Sequence, residues 1–116
     1  MSDIIRHNIR VPLAASARIS YSSDTGTKWI DSTVASISLA GIGLYADCML
    51  AKNTAVAVQI NFISEDGLMK TDVVKGNIVN ANEIQEICYL CIVFNEDINP
   101  QKQPSLYAHL QKIIRK

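Results

Sequence analysis

The sequence lacks any apolar run approaching the ~18 residues of a membrane span, so no membrane insertion is expected. Its N-terminus has no apolar signal core, which argues against secretion. Cysteine is scarce and odd in number, at 3. That suits a reducing, cytoplasmic setting better than a disulfide framework. Cys88 and Cys91 form a C-x-x-C, but no second pair and no adjacent histidine accompany it. On a strand, positions three apart face opposite ways, so neither zinc nor redox chemistry is expected there. Cys48 reads as a small apolar filler. Charge of one sign is not in excess, with 11 bases, 11 acids and a formal net charge of zero. The basic surplus of a nucleic-acid-coating protein is therefore missing. Aromatics make up only 6 % and fall mostly at strand positions, so a single-strand DNA or RNA binder is disfavoured. No phosphate-cradling glycine loop, metal-ligand spacing or nucleophile motif is present, and nothing supports an enzyme. His7 and His109 have no sequence-local catalytic partner; His7 falls in an N-terminal arm and His109 on the polar side of the last helix. Glu65-Asp66 reads as turn chemistry.

What remains is a chain of 116 residues, 48 % hydrophobic, enough for one domain with a modest core. Residues 1–10 are polar, without a sustained period, and read as an arm. Val11–Tyr21 alternates, with Leu13, Ala15, Ala17, Ile19 and Tyr21 on one face. Ser22–Gly26 has hairpin chemistry. Lys28–Ile37 and Ile42–Ala46 are the next strands, followed by a connection over Asp47–Thr54. Ala55–Phe62 alternates most cleanly, and Ser64–Gly67 is another hairpin signal. Leu68–Val79 is a long strand with a bulge expected at Gly76. Asn80–Glu86 reads as a polar turn. Ile87–Phe94 is apolar on both faces, so cover is expected from the terminal helix or from a second subunit in a homodimer. Ser105–Arg115 has Leu106, Leu110 and Ile113 on one helical face, with Pro104 at the first helical position. Six strands with hairpin loops and one terminal helix argue for a small antiparallel barrel or sandwich. The barrel is expected over 11–94 and the helix over 104–115.

Two constellations stand out. Ser36-Ile37-Ser38-Leu39-Ala40-Gly41-Ile42-Gly43 is a small-residue corner between two strands. Its serines offer hydroxyls, and its glycines permit close approach to the backbone. Upstream, Arg6-His7-Asn8-Ile9-Arg10 is an RxxxR. Guanidiniums fork onto phosphate or the O6/N7 edge of guanine and stack flat on a base.

RxxxR, then a strand, a hairpin and a second strand ending in an Asp/Asn-x-Ser-x-x-Gly corner, resembles the PilZ domain family. Lys75–Val79 and Leu90–Phe94 resemble its late strands, and the terminal helix is also similar, so the resemblance spans nearly the whole chain. It implies a single all-β domain, a six-stranded antiparallel split barrel with a C-terminal helix, that binds cyclic di-GMP as its ligand without other cofactor. Carried over, the ligand contacts are Arg6, Arg10, the Ser36 position, Ser38 and Gly41. It also implies an arm that orders over the ligand and a changed surface shown to a downstream protein. Ser36 stands where the family has Asp or Asn. Its hydroxyl offers one acceptor atom where a carboxylate offers two. That loss is about 1–3 kcal/mol, or roughly five- to a hundred-fold in affinity. The alternative is an adaptor on the same barrel that acts through protein contacts without the nucleotide.

Overall fold

The computed structural model describes residues 9–114. Its elements are β1 (Ala15–Ser23), β2 (Gly26–Ile37), β3 (Gly41–Ala46), β4 (Ala55–Ile63), β5 (Met69–Ile84), β6 (Ile87–Phe94) and one helix, α1 (Pro104–Ile114). The strands close into an antiparallel barrel in the order β1-β2-β3-β6-β5-β4. Alternation explains the closure. Val56, Val58, Ile60 and Phe62 of β4 point inward beside Ala17 and Ile19 of β1. Ile42 and Leu44 of β3 meet Ile92 and Leu90 of β6. Ile98, Leu106 and Leu110 complete the core from the C-terminal segment.

The first strand starts later than its alternation suggests. Val11 and Leu13 are buried as expected, but the ladder begins at Ala15. Pro12 has no N–H to donate and interrupts the pairing. Val11 instead forms an isolated bridge to the end of β2, with both N–H···O bonds to Ile37 at 2.9 Å.

The expected polar turn over Asn80–Glu86 is mostly strand. β5 runs on to Ile84, and only Gln85 and Glu86 turn, at φ 49° and 73°. Two residues with positive φ are what a tight hairpin of matching twist requires. The bulge lies between Ile78 and Asn80 rather than at Gly76. Gly76 is required for another reason: a Cβ there would collide with the Val93 carbonyl oxygen.

α1 does not cover the outer face of β6. Ile87 and Val93 there are 50 % and 48 % exposed, and the helix packs mainly on β5. Several tertiary bonds seat it. The Leu106 N–H donates to the Asp72 carboxylate on β5 at 2.7 Å, capping the helix from outside its own chain segment. Gln103 donates to the Val73 carbonyl at 3.1 Å and accepts from the Asn99 N–H at 3.1 Å. Lys112 pairs with Glu65 at 2.9 Å. Leu106 and Leu110 are fully buried, each contributing about 1.5–3 kcal/mol of apolar transfer. His109 is half-buried and its ring packs on Phe62 at 5.0 Å. The helix face that reads as polar in sequence therefore touches the barrel. Cys48, expected as a filler, is exposed, because it lies in the loop after β3 rather than on an inward position. Among the described residues, no helix is long and apolar enough to cross a membrane.

Candidate functional site

The corner between β2 and β3 is built from its own small residues. Ser38 is only 3 % exposed. Its N–H donates to the Gly41 carbonyl at 2.9 Å. Its hydroxyl accepts from the Ala40 and Gly41 N–H groups, each at 3.2 Å, and donates to the Gly41 carbonyl at 3.4 Å. A hydroxyl bonding the backbone two and three residues on is the local chemistry that holds a turn. Gly41 lets β6 lie close against the corner, since a Cβ there would sit 2.6 Å from the Ile92 carbonyl oxygen. The next strand edge is locked to the corner by the Phe94 N–H donating to Ala40 at 2.8 Å and the Ile98 N–H to Leu39 at 2.9 Å.

The bulge between Val34 and Ser36 places Ser36 opposite Gly43 of β3. The Val11–Ile37 bridge holds the chain entering β1 against the end of β2. From that anchor the Arg10 guanidinium reaches the Ser36 hydroxyl, donating at 3.4 Å. Among the described residues no carboxylate pairs with Arg10, whereas Arg18 is held by Asp31 at 2.9 Å. The structure thus brings Arg10, Ser36, Ser38 and Gly41 to one corner. Arg6 lies outside the described residues, as does His7.

The register extends the corner across the outer face of the barrel. One row runs Ser36, Gly43, Cys91 and Asn80 over β2, β3, β6 and β5. The neighbouring row runs Thr33, Tyr45, Tyr89 and Asn82. Tyr45 and Tyr89 pack at 5.2 Å between ring centroids, tilted by 52°. The Tyr89 ring leans into the first row, with its hydroxyl over Gly43 where a side chain would otherwise project. Sequence reasoning misses Tyr45 and Tyr89, because β3 and β6 pair across more than forty residues of chain. The visible signals are Gly43 and the outward parity of Tyr89, but nothing local joins them.

The cysteines face opposite ways: Cys88 is buried and Cys91 half-buried on the outer face. Burial pushes the Cys88 thiol up from its usual value, and the nearby Glu83 carboxylate adds to the shift. Among the described residues no group of three or more His, Cys, Asp or Glu is placed to hold a metal. A groove of about 520 Å³ beside Val73, Lys75, Asn95 and Glu96 is lined by none of the corner residues.

No protein-family model matches the sequence, and no curated protein matches it. Solved structures do match. The PilZ domain of YcgR from Escherichia coli, determined with c-di-GMP, aligns over 92 % of this chain and 86 % of its own, with a TM-score of 0.56 and 15 % identity. At that identity the shared property is the path of the backbone, which here includes the closed six-stranded barrel and the terminal helix: this chain has the PilZ fold.

Proposed function

We propose that this protein is a receptor for cyclic di-GMP, and that it binds the nucleotide at the β2–β3 corner. The observation that carries the reading is the Arg10–Ser36 contact. A guanidinium that pairs with no carboxylate among the described residues is held beside the Ser36 hydroxyl near the end of β2. An arginine so placed suits a phosphate or the O6/N7 edge of guanine. Its surroundings match the RxxxR and Ser-x-x-Gly pattern on a fold that c-di-GMP accompanies in the E. coli domain. Arg6 is the second guanidinium of the motif. Ser38 and Gly41 act by shaping the corner and bringing its backbone close to the ligand. The ligand draws the arm against the barrel, and the altered surface engages a downstream protein in the cytoplasm. The protein performs no catalysis and binds neither DNA nor RNA.

Isothermal titration of the full chain with cyclic di-GMP, beside a linear dinucleotide control, tests this. Binding of the cyclic ligand is expected, with at least a tenfold loss in Arg10→Ala and no change in melting temperature. Absence of heat in the wild type at millimolar ligand refutes it. The adaptor reading then takes its place. One observation favours that second reading: Ser38 and Gly41 are both used by the fold itself, so the corner persists without nucleotide.

A further inference from the structure

We infer that Tyr89 contacts the ligand at this corner, its hydroxyl acting with that of Ser36 on the hydrogen-bonding edge of a guanine base. The inference rests on the cyclic di-GMP reading and names a group that reads the base.

Three observations converge on Tyr89. Its hydroxyl lies over Gly43, and Gly43 is the register partner of Ser36. The two hydroxyls therefore stand about one inter-strand spacing apart, ~5 Å, on the same face. Gly43 is not demanded by backbone conformation, because its φ is not positive. What it provides is room, since a Cβ would lie 2.9 Å from Tyr89 Cζ and closer still to the hydroxyl. Finally, the half-buried Tyr89 makes no hydrogen bond among the described residues. Its hydroxyl is not among the buried atoms left without a partner, so it meets solvent and is accessible to a ligand.

The chemistry fits the departure at Ser36. A single serine hydroxyl presents one oxygen to the N1–H and N2 amine of guanine. A phenol hydroxyl beside it supplies a second oxygen, and each hydroxyl both donates and accepts. The pair spans an edge that carries donors and the O6 acceptor together. Tyr45 packs against Tyr89 from the neighbouring strand and favours this ring orientation. A purely structural Tyr89 would act as a cross-strand aromatic partner, and loss of its hydroxyl would go unnoticed.

The experiment is a double-mutant cycle by titration calorimetry with cyclic di-GMP on the full chain: wild type, Tyr89→Phe, Ser36→Asp and the double variant. Tyr89→Phe is expected to weaken binding about 5- to 20-fold at an unchanged melting temperature. In the Ser36→Asp background the same change is expected to cost less than about twofold, because the carboxylate already meets both donors. Unaltered affinity in Tyr89→Phe overturns the inference and leaves the receptor reading intact. An equal loss in both backgrounds assigns Tyr89 to packing and also overturns it. Binding by Ser36→Asp with a silent wild type refutes the hydroxyl pair. Silence from all four variants refutes the inference and the receptor reading together.

Discussion

Gly41→Ala separates what the corner needs for folding from what it offers a ligand. The new methyl would start 2.6 Å from the Ile92 carbonyl oxygen and 3.6 Å from both the Ile92 carbonyl carbon and Val93 Cα. All three are backbone atoms of β6, which is hydrogen-bonded on both sides, to β3 and β5, in a closed barrel. β6 cannot retreat without disturbing both ladders. Overpacking of this kind costs about 1–3 kcal/mol. At about 4 °C per kcal/mol for a chain of this size, the melting temperature should fall by roughly 4–12 °C. Gly43→Ala is the internal control. Its methyl meets the end of the Tyr89 side chain, which can rotate away, and a shift of no more than about 3 °C is expected. Thermal melts followed by circular dichroism without nucleotide make the comparison. If Gly41→Ala melts within about 1 °C of the wild type, β6 yields freely, and the close-approach argument for Gly41 is wrong.

Three further predictions follow from separate parts of the molecule. Asp72→Ala removes the external cap on the Leu106 N–H and should lower stability by about 0.5–2 kcal/mol, read as a lower urea midpoint at constant m-value; an unchanged midpoint would show that water replaces the carboxylate without loss. The Ser64 hydroxyl, the Leu68 N–H and Lys70 hold Asp66 below the usual carboxylate range. Its stabilising effect is present above the unfolded-state value and fades as pH falls through the lower folded-state value, so the melting-temperature gap between wild type and Asp66→Asn should narrow from pH 5 toward pH 2.5, and a gap that widens with acid would contradict the sign. Native-state maleimide labelling should modify exposed Cys48 rapidly and buried Cys88 only after denaturation; fast labelling of Cys88 in native protein would overturn its inward placement.

Much of the barrel is legible in local pattern. β4 reads directly, because Val56, Val58, Ile60 and Phe62 alternate without interruption and all four are buried. The Ser38-to-Gly41 corner is equally plain, since a serine and a glycine three apart carry their own turn chemistry. Pattern misleads where one residue or one partner outweighs composition. Pro12 delays β1 although its apolar neighbours keep the period. Asn80–Ile84 looks like a turn, yet it is strand because Ile87–Cys91 offers a ladder to pair with. Ile87–Phe94 looks doubly buried, yet Ile87 and Val93 face outward unshielded by the helix.

The sequence by itself determined the period-two strands, the hairpin turns, the amphipathic helix and the order of the small-residue motifs, because each depends on residues only a few positions apart. Tertiary structure alone decided which strands became neighbours. β3 lies beside β6, so Gly43 meets Tyr89. The Val11–Ile37 bridge brings Arg10 to Ser36 across 26 residues. Asp72 caps a helix that begins more than thirty residues later. Barrel closure sets these meetings, and closure depends on the register of all six ladders at once, a property that no single segment carries.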